Sequence, residues 1–134
     1  MQGRKNSPNW HTIRYGIFIE MEIQEIRVNM TSSEREEVII VLNGNFRPHA
    51  FSIGGDRPRL VCDFFFASPG KGLRHHIDVN SEYLRQIRTA FHTSPEKKVR
   101  IVLDFEPGKG FTTNQRFMNQ EKHYVIEVKP AESD

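Results

Sequence analysis

Three stretches of this chain repeat one arrangement of side chains able to grip a polar ligand. Arg59-Leu60-Val61-Cys62-Asp63, Arg100-Ile101-Val102-Leu103-Asp104 and His123-Tyr124-Val125-Ile126-Glu127 each set a basic or imidazole group, a valine and an acid at alternate positions. Alternate positions on a strand share one face. Asp63 and Asp104 each follow an arginine by four residues on that face, so cross-strand ion pairs are expected. An arginine-paired acid has a lowered pKa and makes a poor general acid. The same guanidinium forks and carboxylates can hydrogen-bond sugar hydroxyls, amides and peptide carboxylates, so a flat binding face is the sharper reading of these residues.

Other reactive residue types form weaker patterns. The chain has 6 histidines, but the adjacent pair His75-His76 would point to opposite faces of a strand, and no Cys-x-x-Cys or His-Glu-x-x-His spacing accompanies it. A solvated pair and no metal are expected. Cys62, with His49 or His92 as a base, could form a nucleophilic pair, yet its phase within Leu60 to Phe66 points inward and favours an inert core thiol. Gly70-Lys71-Gly72 and Gly108-Lys109-Gly110 lack the following Ser or Thr and helix of a phosphate loop, and read as turns.

The 134 residues suit one compact core without disulfides, and the single cysteine excludes an intramolecular bridge. With 19 Lys and Arg against 17 Asp and Glu, the net charge of +2 does not advertise a phosphate-backbone binder. Phe64, Phe65 and Phe66 are consecutive and mostly buried by pattern, unlike an exposed stacking platform for bases, so no nucleic-acid partner is expected. The apolar stretch Tyr15 to Ile19 stops at Glu20, short of the roughly 7 to 15 residues of a signal-peptide core. Nothing approaches the roughly 18 apolar residues of a membrane span. The sequence as given reads as soluble and without an export signal.

The elements that must position the polar face are strands. Residues 1–14 are polar and aperiodic, a lead-in; the folded part is expected over 15–129, and 130–134 form a tail. From Ile17 the apolar residues alternate through Ile19, Met21 and Ile23, with Glu20 and Glu22 between them, whereas Ile26 and Val28 fall in the opposite phase, so a bulge or break is expected near Gln24-Glu25. Val38, Ile40 and Leu42 alternate next, and Asn43-Gly44-Asn45 suggests a hairpin into Phe46 to Ile53. Leu60 to Phe66 is a further strand. Asp78 to Phe91 could hold a helical turn, but Leu84 to Arg88 matches an earlier strand and Leu84 to Phe91 is read as one; Val99 to Phe105, Phe111 to Phe117 and His123 to Lys129 follow.

The chain also repeats itself. Ile23-Gln24-Glu25-Ile26-Arg27-Val28 returns as Leu84-Arg85-Gln86-Ile87-Arg88-Thr89, and Val38 to Asn43 returns as Val99 to Asp104, both at 84 − 23 = 99 − 38 = 61. Leu60 to Asp63 returns as Tyr124 to Glu127 at 124 − 60 = 64. Two copies, at about 22–66 and 83–128, predict an all-β sandwich with one pseudo-symmetric core, each copy contributing three to four strands.

This order of motifs, Ile-x-x-Ile-Arg, Val-x-Ile-Val-Leu-Asx and Arg-Leu-Val-x-Asp-Phe, then a second Ile-Arg and Arg-Ile-Val-Leu-Asp-Phe, resembles the AMIN domain. That family stands at the amino end of periplasmic N-acetylmuramoyl-L-alanine amidases and of type IV pilus secretins. The resemblance covers Glu22 to about Lys129. It implies a β-sandwich of two small, symmetry-related sheets, a non-catalytic module without a cofactor that attaches its owner to peptidoglycan or another envelope polymer in the periplasm. Carried over by position, its ligand-contacting residues would be Arg27 and Arg88, Arg59 with Asp63, and Arg100 with Asp104. The chain departs from the pattern at Asn43, which stands where the second copy has Asp104, at Thr89 in place of a valine, and at Cys62 in an aliphatic position. Two other functions compete: docking onto a secretin or amidase through an open sheet edge, and a small hydrolase using Cys62 and a histidine.

Overall fold

The computed structural model describes residues 20–32 and 34–131. The expected lead-in, the inward positions Ile17 and Ile19, and the last three residues of the tail lie outside them. Ten strands make up the described fold: β1 (Glu22–Ser32), β2 (Arg35–Leu42), β3 (His49–Ile53), β4 (Arg59–Phe65), β5 (Ser68–Pro69), β6 (His76–Asp78), β7 (Leu84–His92), β8 (Lys98–Phe105), β9 (Phe111–Met118) and β10 (His123–Pro130). No helix occurs among the described residues, so the strand reading of Leu84 to Phe91 holds, and β5 and β6 are short additions that the alternation did not mark.

The strands form two five-stranded sheets. One runs β5-β1-β2-β10-β9 and the other β3-β4-β8-β7-β6; we call them sheet A and sheet B. Each half of the chain therefore sends one hairpin to each sheet: β1–β2 and β9–β10 build sheet A, β3–β4 and β7–β8 build sheet B. Neither half can bury its apolar face by itself. The inward residues Val38, Ile40, Tyr124 and Ile126 of sheet A and Leu60, Cys62, Phe64, Ile101, Leu103 and Ile87 of sheet B belong to one buried cluster. Phe64 is its central piece, fully buried and edge-on to both Phe46 (6.2 Å) and Tyr124 (6.1 Å).

The predicted bulge is present, and it occurs twice. The β1–β2 register skips a residue between Ile23 and Glu25, and the β7–β8 register skips one between Leu84 and Gln86, at the same spacing of 84 − 23 = 61. Each extra residue returns Ile26 or Ile87 to the inward face. The second strands correspond at a different offset. Ile26 faces Ile40 while Ile87 faces Leu103, so β2 and β8 correspond at 103 − 40 = 63 rather than 61. The β2–β10 and β4–β8 registers, Ile40 to Tyr124 and Leu60 to Leu103, demand the same 63. A slip of two keeps every side chain on its face, which is why apolar alternation alone could not detect it. The counterpart of Asp104 is therefore Val41, and Asn43 corresponds to Glu106.

Asn43-Gly44-Asn45 does not close a hairpin. β2 lies in sheet A and β3 in sheet B, so the segment between them crosses the sandwich. The Asn43 side chain pins this exit: its Oδ1 accepts from Glu22 N at 2.8 Å and its Nδ2 donates to the Glu20 carbonyl at 2.7 Å. Phe46 then turns into the core against Phe64. Gly70 supports the opposite edge, donating its N–H to the Ile23 carbonyl at 2.8 Å, where a Cβ would meet that oxygen at 3.0 Å.

Phe64 bridges both sheets, so Phe64→Ala should lower unfolding stability by about 3 to 5 kcal/mol, read from the urea midpoint at unchanged slope.

Candidate functional site

The outer face of sheet B follows from the register of β4 against β8. Arg59 lies directly opposite Asp104, Val61 opposite Val102, and Asp63 opposite Arg100. Antiparallel pairing of two copies of the same basic-valine-acid triplet thus turns each arginine toward an acid. Val61 and Val102 are 3% and 8% exposed although they lie on the outer side. Arg59 and Asp63 flank Val61 along β4, Arg100 and Asp104 flank Val102 along β8, and Phe51 and Arg88 adjoin them from β3 and β7.

Two bidentate pairs form. Arg100 Nε and Nη2 donate to Asp63 Oδ1 and Oδ2 at 2.8 and 2.9 Å, and Lys98 Nζ reaches Asp63 Oδ2 at 3.4 Å. Arg88 Nε and Nη2 donate to Asp104 Oδ2 and Oδ1 at 2.6 and 3.0 Å, and Gln86 Nε2 donates to Oδ2 at 2.9 Å. Asp104 is therefore taken by β7, not by Arg59, which faces it in the ladder. Arg59 Nη1 donates to the carbonyl of Arg57 at 2.8 Å.

These partners set the acids. The Arg100 hydrogen bonds hold Asp63 below the usual carboxylate range despite its burial. At Asp104 burial works against ionisation, but the hydrogen bonds from Arg88 and Gln86 and the charges of Arg88 and Arg59 outweigh it, and its pKa is also lowered. Both are permanent anions near neutral pH.

Five of the six expected ligand residues, Arg59, Asp63, Arg88, Arg100 and Asp104, thus meet on this one face. Arg27 does not join them. It lies in β1 on the outer side of sheet A, opposite Ile39, and its Nε and Nη2 donate to Glu25 Oε2 at 3.0 and 2.6 Å. The third triplet lies on that side too, and its acid, Glu127, faces Glu37 across the β2–β10 ladder. Arg35 and Arg116 answer the two acids at 3.3 and 3.2 Å. The outer faces of the two sheets are therefore chemically unlike: Arg100 of β8 corresponds at the 63-residue offset to Glu37 of β2.

Several partners escaped the sequence reading. Lys98 and Gln86 share the phase of Arg100 and Arg88 and were legible from alternation once the bulge at Arg85 is placed. Glu36 carried a signal as well, an acid in the inward phase of Val38, Ile40 and Leu42. It is 4% exposed and clasps the other layer, accepting from Ser81 Oγ at 2.8 Å and Tyr83 N at 3.3 Å.

Cys62 is fully buried, and burial, with the charge of Asp63, pushes its thiol up to about 12. No thiolate is poised for attack near neutral pH. His76 opens β6, its Nε2 within 2.8 Å of Gln86 Oε1 and 3.1 Å of Asp78 Oδ1. Among the described residues no three His, Cys, Asp or Glu side chains converge as metal ligands, and no helix is long and apolar enough to cross a membrane.

The polar groups of sheet B thus spread across an open sheet face instead of converging on a deep cleft. Beside β3 that face holds a shallow hollow of about 370 Å³ with Phe51, Ile53, Val61 and Val102 as its apolar part. Fold and face together define a non-converging, surface-presenting β-sandwich. Residues 25–130 match the AMIN domain family, and the chain belongs to it. AMIN domains are non-catalytic, envelope-associated and typically periplasmic, and occur in amidases and secretins. No curated protein and no solved structure matches the chain.

Removing the Arg100 fork leaves a buried carboxylate with Lys98 alone. Arg100→Ala should cost about 2 kcal/mol of stability, against less than about 0.5 for the exposed Arg27→Ala, measured by urea unfolding. Because the folded pKa values of Asp63 and Asp104 lie below the unfolded value of about 3.9, their stabilisation is complete above that pH and lost as pH falls through the folded values. Unfolding followed from about pH 5 downward should show a shallower acid loss in Asp63→Asn than in the parent protein.

Proposed function

We propose that this AMIN domain is a non-catalytic targeting module that holds peptidoglycan against the outer face of sheet B and so positions a larger envelope assembly or partner enzyme. The observation that carries this reading is the gathering of Arg59, Asp63, Arg88, Arg100 and Asp104 around the Val61–Val102 floor. A long polymer of sugars, amides and carboxylates needs hydrogen-bonding groups spread over a flat, rigid surface, and here the forks of Arg88 and Arg100 are locked in place by the acids they already bind. Arg27, on the other layer and paired with Glu25, is outside this surface.

The matching strand orders, and bulges 61 residues apart, support reading the two halves as copies of one unit. The apolar cluster shared by both sheets supports treating the described part of 15–129 as one domain. A second reading, docking to a secretin or amidase component by strand addition, draws on β9. Its eight residues pair only with β10, leaving one side of a long polar strand open.

Purified murein sacculi should co-sediment the protein at low salt. Arg88→Ala should weaken that binding about tenfold, as expected for losing a hydrogen bond to a charged group, while Arg27→Ala leaves it unchanged. Absence of co-pelleting at low salt would sink the reading; partner capture without sacculi would favour docking through β9.

A further inference from the structure

On β4, β7 and β8 the outer face of sheet B carries three arginines, Arg59, Arg88 and Arg100, but two aspartates, Asp63 and Asp104. The geometry points to a site where a ligand supplies the missing acid: Arg59, with Arg57 beside it, receives the carboxylate of a short peptide whose apolar portion rests on Phe51, Val61 and Val102. This inference rests on the reading that this face binds the wall polymer, and it selects the peptide stems rather than the glycan as the part gripped.

The excess follows from the ladder. Asp104 faces Arg59 by register, yet Arg88 holds both of its oxygens and Gln86 adds a third bond. Arg59 keeps a bond to the Arg57 carbonyl, which orients its fork without neutralising it. Among the described residues neither Arg57 nor Arg59 has a carboxylate within ion-pair distance. No arginine is left over on the opposite face, since Arg27, Arg35 and Arg116 are each matched by a glutamate.

The hollow beside Arg59 is suited to the ligand class. Four arginines and no acid line it, together with Phe51, Ile53, Val61 and Val102. A guanidinium fork matches a carboxylate bidentately, and the apolar half favours an amino-acid side chain over a bare inorganic anion. A phosphate-rich polymer would instead call for a broad cationic field, and the net charge of the chain is only +2.

The test titrates the full chain with an N-acetylated murein tetrapeptide stem as the free acid and with every carboxyl converted to a carboxamide, by calorimetry or chemical-shift perturbation. The acid should bind about tenfold more tightly than the amide. Arg59→Ala should erase that difference, Arg59→Lys should restore part of it because an ammonium supplies charge without the fork, and an excess of inorganic phosphate should not displace the peptide. The urea midpoint of Arg59→Lys should match the parent and that of Arg59→Ala should fall only slightly, since Arg59 bonds a backbone carbonyl and adds only its charge near Asp104. Equal binding of acid and amide, displacement by phosphate, or an unchanged preference in Arg59→Ala would each overturn the site. Sacculi separate the two levels: if they pellet the protein while acid and amide bind alike, the carboxylate site falls and the envelope reading stands. If they do not pellet it while the acid binds through Arg59, the polymer reading falls instead.

Discussion

The antiparallel register of β4 against β8 decides the chemistry of this protein. Two strands bearing the same triplet, laid head to tail, must set arginine against acid at both ends and valine against valine in the middle. Had the two strands been parallel, a register that kept valine opposite valine would have set like charges side by side, a destabilising arrangement. The central valines are covered by this frame, and the frame in turn is stiffened by bidentate bonds that hold the forks in fixed planes. Exposed ion pairs ordinarily add little to stability. Here the pair of Arg100 and Asp63 is half-sunk, and its greater effect is to fix where charged groups stand.

Sheet A shows what the same architecture does with different residues. Its corresponding ladder sets His123 against Val41, Val125 against Ile39 and Glu127 against Glu37. The valine floor survives, with Val125 buried, but the complementary charges do not, and Arg35 and Arg116 must be recruited from the ladder's margins. Corresponding strand orders have therefore not produced equivalent surfaces. Between the layers the clasp from Glu36 to Ser81 and Tyr83 ties one end of β2 to the entry of β7, a polar join within an otherwise apolar seam.

Much of this was legible in the sequence, and the parts that were not have physical reasons. The phase break between Ile23 and Ile26 announced the bulge, because only an extra residue brings both to one face. The triplets announced the outward groups, since period two is unambiguous on a strand. Pairing partners were not legible. Arg88 could have answered Asp104 or stood alone, and only three-dimensional register shows that it displaces Arg59. The difference of two between the sequence offset and the ladder offset of β8 is hidden for the same reason, because an even slip leaves the apolar pattern intact. Asn43 looked like a turn residue, but its amide joins the start of β1, a long-range role that local composition does not encode. Arg27 and Arg88 occupy matching motif positions, yet their strands lie in different sheets, so sequence equivalence did not bring them together.

The strand order also fixes a sequence of events during synthesis. Sheet B needs no residue beyond Phe105, so all five of its strands can pair before β9 and β10 have emerged. Sheet A has no such freedom, because β10 is an inner strand seated between β2 and β9, and Val41 must wait for His123. Contacts so distant along the chain close slowly. Until they close, the inner sides of β1 and β2, with Ile23, Val38 and Ile40, have only part of their cover. While β10 is still to be made, sheet B can pair and the half-sheet of β1 and β2 keeps apolar surface open, the kind of transiently exposed strand surface on which aggregation and chaperone capture act.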